Sequence, residues 1–215
     1  MISLIIADDH PVVRAGVRAM LEAEGNLRVV AEIGHGAEID PTVARHCHET
    51  DLLLLDARMP GLEPIAAVRA LSVSAPELKV LVLSSYDESE YVTGLLHAGA
   101  RGYILKDEPR ATLIAAIRTV ADGDMYLSPK VAGVYVRHQR QRATERDRLL
   151  TLTERELEVL RLVGAGYDNQ AIGAALTISY ETVKHHLRNI YGKLGLTNRY
   201  QAIVFAFRNR LVASE

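Results

Sequence analysis

The sequence predicts an α/β domain, a doubly wound five-stranded parallel sheet, followed by an all-α domain. Three observations carry that expectation. Short apolar runs alternate five times with amphipathic stretches in the first half, the rhythm of a parallel sheet with helices on both sides. Strand character stops after Gly123, and from Leu152 onward the periodicity is wholly helical. The charge also divides with the rhythm. Residues 1–125 carry 11 basic and 19 acidic residues, a balance of -8; residues 126–215 carry 14 and 8, a balance of +6. An acidic half joined to a basic half points to a polyanion as partner of the second.

The expected strands are Ile2–Ala7, Leu27–Ile33, Leu52–Leu55, Val80–Leu83 and Tyr103–Leu105. Several are almost continuously apolar, as strands covered on both faces are. Helices are expected over roughly 11–24, 37–48, 64–73, 88–99 and 109–122. In the last of these Leu113, Ile114, Ile117 and Val120 recur at helical spacing and form one buried face. Ser128-Pro129 starts a further helix, since proline suits a first helical turn. The charge-rich run Arg137–Arg148 reads as its continuation into a solvated linker, with non-specific DNA contact as the alternative. These readings give domains at 1–122 and 151–215, with a helix-bearing linker over 123–150.

In the second domain Thr153-Glu154-Arg155-Glu156 has the form of a capping box. It opens a helix with Leu157, Leu160 and Val163 that Gly164 and Gly166 end. A second helix runs from about Asn169 to Leu176. After the turn Thr177-Ile178-Ser179, with Ser179 a suitable N-cap, comes a third. On it Val183, Leu187, Ile190 and Leu194 share one side. Glu181, Lys184, His185 and Arg188 lie roughly 140° away at about 100° per residue. One face packs inward and the other is free to read a groove.

Sites in such sheets collect beyond the carboxyl ends of the strands. Asp8 and Asp9 end the first strand and Asp56 the third, and these strands are neighbours in a doubly wound sheet. Three converging carboxylates repel unless a cation compensates, and a hard divalent ion such as Mg2+ suits oxygen ligands. The fourth and fifth strands end in Ser84 and Lys106. A hydroxyl donor and a cation beside carboxylates make a place for a phosphoryl group, with Asp56 as nucleophile.

Several stretches resemble the receiver domain of two-component response regulators over residues 1–122. They are Ile6-Ala7-Asp8-Asp9-His10-Pro11, Leu55-Asp56-Ala57-Arg58-Met59-Pro60-Gly61, Val82-Leu83-Ser84 and Gly102-Tyr103-Ile104-Leu105-Lys106-Asp107. The resemblance implies a flavodoxin-like fold in which Asp56 accepts phosphate from a sensor histidine kinase. It implies that Asp8, Asp9, Asp56 and the Arg58 carbonyl hold Mg2+, that Ser84 and Lys106 contact the phosphoryl group, and that Tyr103 is an aromatic switch. One departure stands out: Glu63-Pro64 follow Leu62 where the family usually has Asp-Gly. That bears on the shape of the loop beside Asp56.

Leu152–Ala206 resembles a LuxR-type helix-turn-helix, the output domain of the NarL/FixJ branch of response regulators. The residues are Leu152-Thr153-Glu154-Arg155-Glu156-Leu157-Glu158-Val159-Leu160, Asn169-Gln170-Ala171-Ile172, Thr182-Val183-Lys184-His185-His186-Leu187, Lys193-Leu194-Gly195-Leu196 and Asn198-Arg199. Ala171 and Tyr167-Asp168 depart from its frequent residues. The resemblance implies that Lys184, His185 and Arg188 face bases, that Thr182, Lys193 and Arg199 serve phosphates, and that a fourth helix over about Arg199–Arg208 dimerises. Double-stranded promoter DNA and a second copy of the phosphorylated chain are then the partners.

Other features are read as structural. His46-Cys47-His48 cannot converge on one ion, because adjacent helical positions diverge by about 100°. A single cysteine forms no internal disulfide, so a reducing cytoplasm is expected. No run approaches the roughly 18 apolar residues of a membrane span, and Asp8-Asp9 interrupt the N-terminal apolar run as no signal peptide would. Two rivals remain: a phosphatase using Asp56 as nucleophile, for which no cap or inserted domain is present, and a DNA-binding regulator independent of phosphorylation.

Overall fold

The computed structural model describes residues 1–212. The chain divides into two compact units, one of Met1–His138 and one from Gln139 onward.

In the first unit β1 (Ile2–Ala7), β2 (Leu27–Ile33), β3 (Leu52–Asp56), β4 (Lys79–Ser84) and β5 (Gly102–Leu105) form a parallel sheet. A sixth strand, β6 (Tyr126–Leu127), completes the order β2-β1-β3-β4-β5-β6. The intervening helices are α1 (Pro11–Glu22), α2 (Ile39–His46), α3 (Pro64–Ser74), α4 (Ser89–Ala98) and α5 (Arg110–Ala121). Each face of the sheet has its own core. Leu21 of α1 and Leu113, Ile114 and Ile117 of α5 pack with Leu4, Leu54 and Ile104 on one side. Val43, Val68, Leu71, Val92 and Leu95 pack with Ile5, Leu53 and Val82 on the other. Every residue of β3 is buried, as expected of a central strand covered twice.

The structure departs from the expected fold in two places. β6 raises the strand number from five to six, pairing in parallel with Gly102 and Tyr103. Two residues are too few to show any alternation in sequence. The helix expected over 37–48 is shorter, flanked by 3-10 turns at Gly36–Glu38 and Cys47–Glu49. The helix expected to start at Ser128-Pro129 is α6 (Pro129–Leu150), and the division between the two units falls inside it. Pro64 takes the first position of α3 with Glu63 at its N-cap, so the departure beside Asp56 is accommodated where a missing amide costs nothing.

The second unit holds α7 (Glu154–Gly164), α8 (Asn169–Leu176), α9 (Tyr180–Leu194) and α10 (Arg199–Arg208) around one core. The capping box is formed: Thr153 Oγ1 accepts from the Glu156 amide, and the Glu156 carboxylate accepts from the Thr153 amide. Asp168, Ser179 and Asn198 cap α8, α9 and α10 in the same manner. The turn between α8 and α9 is tight. A Cβ at Gly173 would lie 2.8 Å from the Ile178 carbonyl oxygen, and Thr177 adopts a left-handed φ of 55°.

Candidate phosphoacceptor site and nucleic-acid interface

The loops after β1, β3 and β5 bring the acidic set together. Ligand atoms of Asp8, Asp9, His10 and Asp56 all lie within 4.8 Å of one another. Asp8 and Asp56 are buried. Between them the Lys106 ammonium donates to Asp8 Oδ2 at 2.6 Å and to Asp56 Oδ2 at 2.7 Å. Burial alone would lower the Lys106 pKa; its hydrogen bonds to Asp56 and Asp8 overcome that and hold it above its ordinary value. The other oxygens of these carboxylates are also engaged. Asp56 Oδ1 accepts from the Arg58 amide at 2.9 Å, and Asp8 Oδ1 from the His10 amide at 2.8 Å. Asp9 differs. Its Oδ1 is shielded from water with no aligned donor, although His10 Nδ1 lies 2.7 Å away. An orphaned carboxylate oxygen beside two buried carboxylates fits a hard, oxygen-seeking divalent cation.

Beside this pocket, hydrogen bonds through the loop after β4 link Ser84 to Tyr103 on β5. Ser84 is buried at the end of β4, and its hydroxyl accepts from the Tyr86 amide at 3.2 Å. Tyr103 is wholly buried, and its hydroxyl donates to the Tyr86 carbonyl at 2.6 Å. Burial pushes the Tyr103 phenol up to about 12, so it remains a neutral donor at physiological pH. Tyr91 on α4 donates to the Ala57 carbonyl at 2.7 Å, tying that helix to the loop that carries Asp56. The Arg58 guanidinium stacks 3.9 Å from the centre of the Tyr86 ring, joining the loops after β3 and β4.

In the second unit α9 separates its residues as their spacing demands. Val183, Leu187, Ile190 and Leu194 are buried, while Glu181, Thr182, Lys184, His185 and Arg188 are exposed. Lys184 reaches back to both Glu181 oxygens at 3.3 Å, and His185 Nε2 lies 3.3 Å from Asn189 Nδ2. These exposed contacts exchange readily with water. The Arg188 guanidinium makes no hydrogen bond or ion pair among the described residues.

Residues 4–118 match the response regulator receiver domain, and residues 150–206 match the bacterial regulatory proteins of the luxR family. The chain is 38% identical to the transcriptional regulatory protein DegU of Brevibacillus brevis, over 97% of this chain and 94% of the relative. It is 36% identical to the oxygen regulatory protein NreC of Staphylococcus carnosus, over 97% and 98%. The chain belongs to the response-regulator family with a LuxR-type output domain. Among solved structures the response regulator ChrA of a heme-sensing two-component system is 37% identical, with a TM-score of 0.53 and 98% of both chains covered. The protein is therefore a two-component response regulator with a DNA-binding domain of the transcription-regulator class, not an enzyme.

In this response regulator Asp8, Asp9, Asp56 and Lys106 meet at the strand ends, Ser84 ends the neighbouring β4, and Tyr103 lies on β5 opposite Val82. Lys193 and Arg199 stand apart from the other residues assigned to DNA. Lys193 donates to the buried Glu156 carboxylate at 2.6 Å. Arg199 donates to Asn169 Oδ1 at 2.9 Å and also to the Tyr167 carbonyl. Sequence reasoning gave no role to Tyr86, Tyr91, His10 or Glu156 beyond local motif. Tyr86 and Tyr91 carried no signal, because each acts through contacts between loops distant in the chain. Glu156 did carry one, since a capping-box carboxylate has a second oxygen that a nearby lysine can use. Among the described residues no helix is long and apolar enough to cross a membrane.

Proposed function

We propose that a sensor histidine kinase phosphorylates Asp56, and that this event controls dimerisation and promoter binding. The observation that carries the reading is the Lys106 ammonium held between Asp8 and Asp56 in a buried acidic pocket. In the transfer, an Asp56 oxygen forms the new bond to phosphorus while the nitrogen–phosphorus bond of the phosphohistidine breaks, and the imidazole leaves with that electron pair. Lys106 stands where it can follow the incoming phosphoryl oxygens and offset their charge. Asp8, Asp9, Asp56 and the Arg58 carbonyl would hold Mg2+, whose charge neutralises the phosphoryl oxygens when bound. Ser84 would donate to the phosphoryl group, and its shift would pass through Tyr86 to Tyr103. Lys184, His185 and Arg188 would read bases in the major groove, with Thr182 on a phosphate. Lys193 and Arg199 would approach phosphates only by leaving internal partners, which favours a positioning role for both. A kinase that senses and a promoter that answers must share one compartment, so the cytoplasm is the site of action.

Acetyl phosphate with Mg2+ should add one phosphoryl mass to Asp56 and raise affinity for duplex DNA. Asp56→Asn should abolish both effects, and an equal response of that variant would refute the switch. A second reading, control without phosphoryl transfer, is favoured by one feature: Tyr103 already lies inside, with its hydroxyl bonded. DNA affinity indifferent to phosphoryl mimics in the unaltered protein would select it.

A further inference from the structure

We infer that the C-terminal half of α6 is a second polyanion-binding surface, which grips the phosphates of the same duplex that α9 reads. This rests on the DNA-binding role of the second unit and extends it to a segment outside the helix-turn-helix.

The first observation is charge without partners. α6 holds six basic and two acidic residues. Arg140, Arg142 and Arg146 are exposed, and among the described residues none of their guanidinium groups has an ion-pair or hydrogen-bond partner. Some exposed arginines elsewhere are paired, Arg18 with Glu22 and Glu32 and Arg110 and Arg118 with Glu24, and others such as Arg161 and Arg188 are not; what sets α6 apart is three unpaired guanidinium groups within seven consecutive residues. On α6 the acids that are present do not serve that purpose. Glu145 accepts from Gln141 instead. Arg142 and Arg146 stand one helical turn apart, a like-charge spacing that destabilises a helix. An anion laid along the helix would reverse the sign of that term.

The second observation is position. α6 ends against the reading helix: Arg148 Nη1 donates to the carbonyl oxygen of Leu194, the last residue of α9, at 3.1 Å. At about 1.5 Å per residue, Arg146 and Arg142 lie roughly 3 and 9 Å along the axis from that contact. This helix also lacks an apolar face here, with every position from Arg140 to Thr144 exposed. A helix polar on all sides gains little from packing within its own unit, so a ligand surface is its available use. The partner is the phosphate backbone rather than base edges, because the arginines flank the reading helix instead of lying on it.

The test measures binding of the full-length protein to a random-sequence 40-base-pair duplex by fluorescence anisotropy across a salt series. Three proteins are compared: unaltered, R140Q/R142Q/R146Q, and R140K/R142K/R146K. Each phosphate contact contributes about 0.9 to the slope of log affinity against log salt. Arg142 and Arg146 share a face of the helix while Arg140 lies about 160° around it from Arg142, so the glutamine protein should lose about 1.8 of that slope from the shared face, and the lysine protein keeps most of it. Glutamine and lysine have helix propensities close to that of arginine, and circular dichroism confirms retained helix. A glutamine protein with unchanged slope overturns the inference and leaves DNA reading by α9 intact. If the unaltered protein fails to bind duplex at any salt, the DNA-binding reading itself fails. Greater DNA affinity of the glutamine protein would mean that the arginines serve another anion, such as an acidic protein surface, and would also overturn the inference.

Discussion

Two side chains show how much a single buried group sets. Glu156 caps α7 and accepts from Lys193, and only a few per cent of it is exposed. Burial alone would raise its carboxyl, but Lys193 and the Thr153 donors hold it below its ordinary value of 4.5. A folded pKa below the unfolded one means stability fully present above about pH 4.5 and lost as pH falls through the folded value. Glu156→Gln keeps a capping acceptor but leaves Lys193 unpaired. Lys193 is exposed enough to find water, so the cost at pH 7 should be roughly 1–2 kcal/mol, below that of a fully buried broken pair. As pH falls below 4.5 the gap between the variant and the parent should narrow, which hydrogen exchange of α7 amides across a pH series measures; a constant gap would contradict the linkage. Tyr103 is the second case. Tyr103→Phe removes the donor to the Tyr86 carbonyl and leaves that oxygen unsatisfied, at about 1–3 kcal/mol. Acetyl phosphate should still load Asp56 in this variant, while the rise in DNA affinity shrinks. A full rise would remove Tyr103 from the path.

At the scale of elements, what was legible in the sequence follows the strength of each local signal. Asn169–Leu176 emerges with the boundaries read from its own pattern, and Arg199–Arg208 with those the family resemblance implied; the Asp168 and Asn198 side chains cap their starts. The acidic set was legible because each member ends a strand, and strand ends are fixed by apolar runs. β6 was not, and neither was the division of α6. Nothing in Tyr126-Leu127 marks a strand; it is made one by Gly102, where a Cβ would lie 2.9 Å from the Tyr126 carbonyl oxygen. Likewise Val131 resembles any helical valine, yet it is fully buried in the core beside α4. Ser128 donates its amide to the Tyr103 carbonyl, Lys130 pairs with Asp87 at 3.1 Å, and Thr93 lies 3.1 Å from His138. The first ten residues of α6 thus belong to the receiver and touch the strand and loop that bear Tyr103 and Tyr86. A chain ended at Asp122 should accordingly be less stable than one ended at His138. Burying Val131 alone contributes about 1.5–3 kcal/mol. Urea unfolding of the two truncated chains checks this, and equal midpoints would deny α6 a place in the receiver core.

For the whole molecule the question is how an event at Asp56 becomes a change in promoter occupancy. A single reading helix offers few base contacts, each worth about 1–3 kcal/mol of discrimination. Phosphate contacts add affinity without sequence information. One unit of this kind therefore binds weakly, and rearranging its own side chains gains little. Joining two units changes the arithmetic, because the second binding event becomes intramolecular and avidity rises by about 10²–10⁴ with no new contact. Dimerisation is thus the step through which phosphorylation would have the most effect. It also leaves a signature that improvement within one unit does not. Duplexes selected by the unaltered protein with beryllofluoride and Mg2+ should hold two half-sites about one helical turn, 34–36 Å, apart. The mimic should raise affinity for such a duplex by at least about tenfold, yet leave affinity for either half-site alone nearly unchanged. Asp56→Asn should bind both duplexes with the low affinity of the unmodified protein. Equal gains on one half-site and on two would show that the acidic pocket acts within a single chain, by freeing the reading helix rather than by pairing it.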